Sequence, residues 1–146
     1  MIHSGIYYPS HSLKAQLCVE GNKRLYEICE KNSIPCKKIG KFIIANNELE
    51  IEILHKLYVL GKENGLTGLS LISKSRIKEL EPAIKADFII YSKETGIVDS
   101  HRLIKYFEKK SEISNVIITY NSTVISIEKV NDYYSLTIQE SNNELM

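Results

Sequence analysis

Two hydrophobic periods alternate along this chain, and that alternation limits what it can fold into. Between Leu13 and Cys29 the apolar positions Leu13, Leu17, Cys18, Leu25, Ile28 and Cys29 keep helical spacing, while Lys14, Glu20, Lys23, Glu27 and Lys31 fall on the other face. Ser10-His11-Ser12 offers hydroxyls to cap this helix. Asn32-Ser33-Ile34-Pro35 ends it, because the residue before a proline is driven away from helical angles. Phe42-Ile43-Ile44-Ala45 is then a short β-branched run that reads as a buried strand. A second helix is expected from Asn46-Asn47 to Asn64-Gly65, with Leu49, Ile53, Leu54, Leu57 and Leu60 on its apolar side.

The pattern continues with a strand at Leu69–Ile72, a brief helix capped by Ser73 and stopped by Pro82, and a strand at Phe88–Tyr91, after which Thr95–Val98 carries the chain to Asp99. Asp99 or Ser100 caps a third long helix with Leu103, Ile104 and Phe107 on its inner face, and Asp99 is read as that cap rather than as an acid or base. Strands at Val116–Tyr120, Thr123–Lys129 and Tyr133–Gln139 follow, the last two joined at Asn131-Asp132. Helices and strands interleave first and strands cluster later. The expectation is an α+β fold, one mixed sheet with helices packed on one face, in a single domain spanning 1–146 with a loose tail at 140–146.

With 146 residues the chain is long enough to bury a core without disulfides or metals. Nineteen basic against eighteen acidic residues leave a formal charge of +1 and no basic stripe for a phosphate backbone, so nucleic acid is not an expected partner. No apolar run reaches membrane-spanning length, and no secretory signal opens the chain; a cytoplasmic location is expected. Cys18, Cys29 and Cys36 lack metal or disulfide spacing and read as reduced thiols, with Cys18 and Cys29 able to share one buried helix face. His3, His11, His55 and His101 are scattered, so no metal site is expected. The dinucleotide fingerprint of glycines between a strand and a helix is absent, as are a Walker loop, an H-E-x-x-H pair and a G-x-S-x-G elbow.

Function enters through resemblance. Ile2-His3-Ser4-Gly5-Ile6-Tyr7-Tyr8-Pro9, Ser12-Leu13-Lys14-Ala15 with Cys18-Val19-Glu20-Gly21-Asn22, Gly40-Lys41, Glu79-Leu80-Glu81-Pro82 and Thr95-Gly96-Ile97-Val98-Asp99-Ser100 occur in order across nearly the whole chain. Together they resemble the L-2-hydroxyglutarate dehydrogenase branch of the FAD-dependent oxidoreductases of the D-amino-acid-oxidase and glycerol-3-phosphate-dehydrogenase type.

The resemblance implies the substrate domain of a flavoprotein whose Rossmann-like FAD-binding part is absent from this sequence. It implies oxidation of a small 2-hydroxy acid, L-2-hydroxyglutarate or similar, to the 2-oxo acid. The alternative is a truncated, catalytically inactive remnant or interaction module that binds no flavin. FAD is the implied cofactor, and it is not expected to bind tightly to this chain alone.

By the same resemblance the first segment runs beside the flavin, with His3 and Gly5 on the cofactor side. His3 is the candidate general base or substrate orienter, since histidine titrates near neutrality. Tyr7, Tyr8 and Lys14 are the candidate substrate-binding residues, able to hold a carboxylate or a developing oxyanion. Consecutive tyrosines in a strand point to opposite sides, so at most one of the two is expected to reach the site, and Lys14 most simply snorkels from its helix. Separated from a partner part, the segment around Ile2, Ile6, Tyr7 and Tyr8 is expected to expose apolar surface and to favour self-association.

Overall fold

A computed structural model describes residues 1–140 and shows an α+β fold. In chain order it contains α1 (Leu13–Lys31), β1 (Cys36–Lys37), β2 (Lys41–Ala45), α2 (Glu48–Glu63), β3 (Leu69–Ile72), α3 (Lys74–Leu80), β4 (Phe88–Ser92), β5 (Ile97–Val98), α4 (Ser100–Ile113), β6 (Ser122–Val130) and β7 (Tyr133–Glu140). The expected caps are in place. Ser12 Oγ accepts from Ala15 N at 3.1 Å, Asn47 Oδ1 from Glu50 N at 3.0 Å, Ser73 Oγ from Arg76 N at 3.3 Å and Asp99 Oδ1 from Arg102 N at 3.0 Å.

Three helices end by one device. After α1, α2 and α4 a residue in the left-handed region follows the cap: Ser33 (φ 52°), Gly65 (φ 83°) and Asn115 (φ 54°). The next amide then bonds back to a carbonyl of the last turn: Ile34 N to Cys29 O at 2.9 Å, Leu66 N to Gly61 O at 3.1 Å and Val116 N to Ser111 O at 2.9 Å. This closes the orphan carbonyls of each helix and reverses the chain over it.

The residues divide into two compact units, Met1–Ile104 and Lys105 onward. In the first, β2, β4 and β3 form an antiparallel sheet in that order, and β1 pairs with β5 in a second, two-stranded one. In place of the expected single sheet there are several small antiparallel ones, and β1 with β5 and β2 with β4 pair across intervening elements. Both faces of the three-stranded sheet are covered. On one, Ile43, Ala45, Leu69 and Ile90 meet Leu54 and Leu57 of α2 together with Ile6 and Leu66. On the other, Phe42, Ile72 and Ile89 meet Ile77 of α3. Strand alternation explains why the consecutive Ile89 and Ile90 can both be fully buried, one in each cluster.

In the second unit β6 and β7 form a hairpin whose side chains, Ile125, Ile127, Leu136 and Ile138 among them, are exposed. A two-stranded ribbon has no further layer to bury its faces. Val116–Tyr120 is not a strand: the reversal after α4 places it in irregular chain. Ile104 and Phe107, expected on the inner face of α4, are exposed at 58% and 47%, and α4 fully buries no residue. Glu140 belongs to β7; the rest of the expected loose tail lies outside the described residues.

Candidate functional site

The segment from Ile2 to Pro9 forms only one isolated β-bridge, Ile2 with Gly96, so most of its backbone polar groups need other partners. Side-chain amides supply them. Asn22, buried on α1, donates to His3 O at 2.8 Å and to Glu94 O at 3.0 Å, tying the segment to the loop between β4 and β5. Asn64, at the end of α2, donates to Gly5 O at 3.2 Å and Tyr8 O at 2.8 Å. Beneath them Ser92 Oγ donates to Ser4 Oγ at 3.1 Å and lies 3.3 Å from Thr95 Oγ1, all three residues being buried. Satisfied in this way, the buried hydroxyls hold the segment in place rather than destabilise it.

Gly5 sits at φ +97°, with Val19 Cγ2 at 3.0 Å from where a β-carbon would stand. Glycine is needed here twice over, for the left-handed backbone and for the close approach of α1.

The segment therefore buries alternate residues. Ile2 and Ile6 are each 1% exposed, which corrects the expectation that they form an exposed apolar surface: they belong to this chain's own interior. His3 and Tyr7 point outward, and Tyr8 is half-buried. The two tyrosines meet different lysines. Lys14 Nζ lies 4.6 Å from the centre of the Tyr8 ring. Lys41 Nζ donates to Tyr7 Oη at 3.1 Å and lies 4.4 Å from the centre of that ring.

Among the described residues neither Lys41 nor Lys14 has a carboxylate partner. The half-buried Lys41 had no assigned role in the sequence reading. Its signal was positional: it opens β2 in alternation with Ile43 and Ala45, on the core-facing side, where an ammonium needs a polar partner.

Cys18 Sγ lies 3.9 Å from His3 O, and burial raises its thiol pKa while the Lys14 charge lowers it in part. It is half-buried, where the sequence suggested a buried core position. Asp99 serves as the helix cap, its carboxylate also 3.6 Å from Arg102 Nε. Among the described residues no group of three or more His, Cys, Asp or Glu side chains could hold a metal, and no helix is long and apolar enough to cross a membrane.

A family model described as FAD dependent oxidoreductase matches residues 1–143. The chain belongs to the FAD dependent oxidoreductase family. It is 39% identical over 138 residues to the mitochondrial L-2-hydroxyglutarate dehydrogenase of Homo sapiens, covering 94% of this chain and 30% of that protein. To the mitochondrial L-2-hydroxyglutarate dehydrogenase of Nematostella vectensis it is 48% identical over 99 residues, 68% of this chain and 22% of that protein. It spans less than a third of either relative.

Among solved structures, dithionite-reduced L-alpha-glycerophosphate oxidase from Mycoplasma pneumoniae with FAD bound superposes with a TM-score of 0.76 at 27% identity, over 99% of this chain and 38% of the oxidase. Glycine oxidase from Geobacillus kaustophilus superposes with a TM-score of 0.72 over 94% of this chain and 39% of the oxidase; its 15% identity speaks for the fold alone.

The family's cofactor can be tested against the residues of this chain. Among those described, no glycine-rich turn joins a strand to a helix in the manner that cradles a pyrophosphate. Among the described residues the one buried side-chain atom without a hydrogen-bond partner is Glu94 Oε2, a carboxylate oxygen that repels a phosphate. These residues do not form the phosphate-binding part of a flavin site.

Proposed function

We propose that this chain supplies the substrate side of an FAD-dependent oxidoreductase that converts a small 2-hydroxy acid, L-2-hydroxyglutarate or a close analogue, to the 2-oxo acid. The observation that carries the proposal is the clamped N-terminal segment. Asn22 and Asn64 fix the His3 and Tyr8 carbonyls, and the segment turns His3 and Tyr7 outward, the Tyr7 hydroxyl meeting Lys41 of β2. Similarity to several L-2-hydroxyglutarate dehydrogenases supports the choice of substrate.

In this reading His3 accepts the proton of the substrate hydroxyl or orients that group. A carboxylate is held by Tyr7 with Lys41, or by Tyr8 with Lys14, as a charge-assisted hydrogen bond to an ammonium that has no competing carboxylate among the described residues. His3 and Gly5 are the residues proposed on the cofactor side, Gly5 through the backbone course that its positive φ allows. The chain is proposed to act as one substrate domain and to be cytoplasmic, although the relatives' names place them in mitochondria; cell fractionation reads the location.

The missing glycine-rich turn among the described residues favours one other reading, a module that keeps this fold and binds no flavin.

A chimaera separates the two. The 138 matching residues of the human dehydrogenase are replaced by those of this chain, and FAD retention and turnover are measured. The proposal expects a yellow protein that oxidises L-2-hydroxyglutarate in preference to monocarboxylic 2-hydroxy acids. A yellow protein inactive on every small 2-hydroxy acid would contradict it.

A further inference from the structure

The reversal at the end of α1 brings two cysteines together. Because Ser33 turns left-handed and Ile34 N bonds back to Cys29 O, the chain runs back along the helix it has just left. Alternate residues of the returning stretch then face the helix. Ile34 is buried against the last turn. Lys38 Nζ lies 4.4 Å from the centre of the ring of Tyr26, one turn before Cys29. Cys36 lies midway between Ile34 and Lys38 on the same side, which sets it opposite Cys29.

The two thiols lie close enough to interact, and burial, followed by the neighbouring Cys36 thiol, pushes the Cys29 thiol up to about 11. The same two sulfurs, after burial, help raise the Tyr26 hydroxyl, so all three groups form one cluster. Their exposures differ. Cys29 is 1% exposed, whereas Cys36 is half-buried and lines an open apolar cleft with Pro35, Lys37, Ile97, Val98 and Asp99. Cys18 stands apart, beside the His3 carbonyl.

We propose that Cys29 and Cys36 form a reversible dithiol–disulfide site that hydroperoxides oxidise from the cleft. The Cys36 sulfur attacks the peroxide, an S–O bond forms as the O–O bond breaks, and the alcohol or water departs, leaving a sulfenic acid on Cys36. The Cys29 sulfur then attacks the Cys36 sulfur. The S–S bond forms, the S–O bond breaks and water leaves with the thiol proton. In sum two thiols and one hydroperoxide give one disulfide, one alcohol and one water, with two electrons passing from sulfur to peroxide. The order of events follows from burial: Cys29 stays protonated and shielded, so Cys36 reacts first and Cys29 resolves it. A small dithiol reopens the bond by exchange.

The test uses the full 146-residue chain treated with hydrogen peroxide, alkylated and digested with trypsin. The expected product joins the peptide ending at Lys31 to the peptide ending at Lys37, is lighter by two hydrogen atoms and is split by dithiothreitol, while Cys18 is recovered alkylated. Cys29→Ser should leave a sulfenic acid at Cys36 that dimedone traps. Cys36→Ser should leave Cys29 reduced under the same exposure. Denaturant supplies the control, since the unfolded chain should spread its cross-links over all three cysteines. A native chain with the same spread as the denatured one would overturn the proposal. So would Cys36 passing to the sulfinic acid while Cys29 stays free.

Discussion

Replacing Ile90 by alanine is expected to cost the first unit about 4 kcal/mol of stability, because it removes a fully buried branched side chain from the middle strand of a sheet covered on both sides. Ile90 pairs with Ile43 on one neighbour and Leu71 on the other, and packs in the cluster with Ile6, Leu54 and Leu69. The surrounding strands are pinned by their ladders and cannot collapse into the void, so the cavity adds to the lost burial. Ile90→Val removes one methylene and should cost about 1 kcal/mol. Urea unfolding followed by far-ultraviolet circular dichroism measures both. Equal midpoints for the two variants would contradict this view of the core.

Asn22→Ala is expected to cost about 3 kcal/mol, from two carbonyls, His3 O and Glu94 O, that lose one shared donor in a buried setting. Its effect is also local. With the amide gone, the N-terminal segment loses its tie to the loop after β4 and keeps the Ile2–Gly96 bridge, the Ser92–Ser4 bond and the Asn64 bonds, and its amides should exchange with solvent earlier than those of β4. Hydrogen exchange read by mass spectrometry checks this, with Asn22→Asp as a companion that keeps the shape and loses the donor. Unchanged protection of residues 2–8 in both variants would show that the clamp lies elsewhere.

The elements were legible where local chemistry decides them. Ser12, Asn47, Ser73 and Asp99 announce helix starts by type and position, and all four cap as expected. Phe42–Ala45 and Phe88–Tyr91 announce strands by β-branching and become paired neighbours. The sheet arrangement was less legible, because cross-strand pairing depends on contacts far apart in sequence. Val116–Tyr120 has the composition of a strand, yet Asn115 turns the chain left-handed just before it, and β6 and β7, which follow, pair with each other.

The geometry of the candidate site was only partly legible. The motif residues His3, Gly5, Tyr7, Tyr8 and Lys14 do gather on one segment and the first turn of α1, but what fixes them was hidden. Asn22 reads as a polar residue of an amphipathic helix and Asn64 as a helix end. Their bonds reach 19, 72, 59 and 56 residues along the chain, beyond any local pattern. Lys41 stood in a recognised motif without a role until the fold laid it against Tyr7. The expectation of an exposed Ile2 and Ile6 fails because their cover comes from residues far along the chain: Ile6 packs in the layer between α2 and the sheet, and Ile2 is buried where it bridges Gly96.

The central claim, that the clamped segment presents His3 to a 2-hydroxy acid, is tested most directly by the rate of flavin reduction under L-2-hydroxyglutarate in the human chimaera with and without His3→Gln. Loss of a positioned general base predicts a rate lower by about 100-fold or more, with FAD still bound and the absorbance spectrum intact. An unchanged rate in a variant that retains its flavin would contradict the claim.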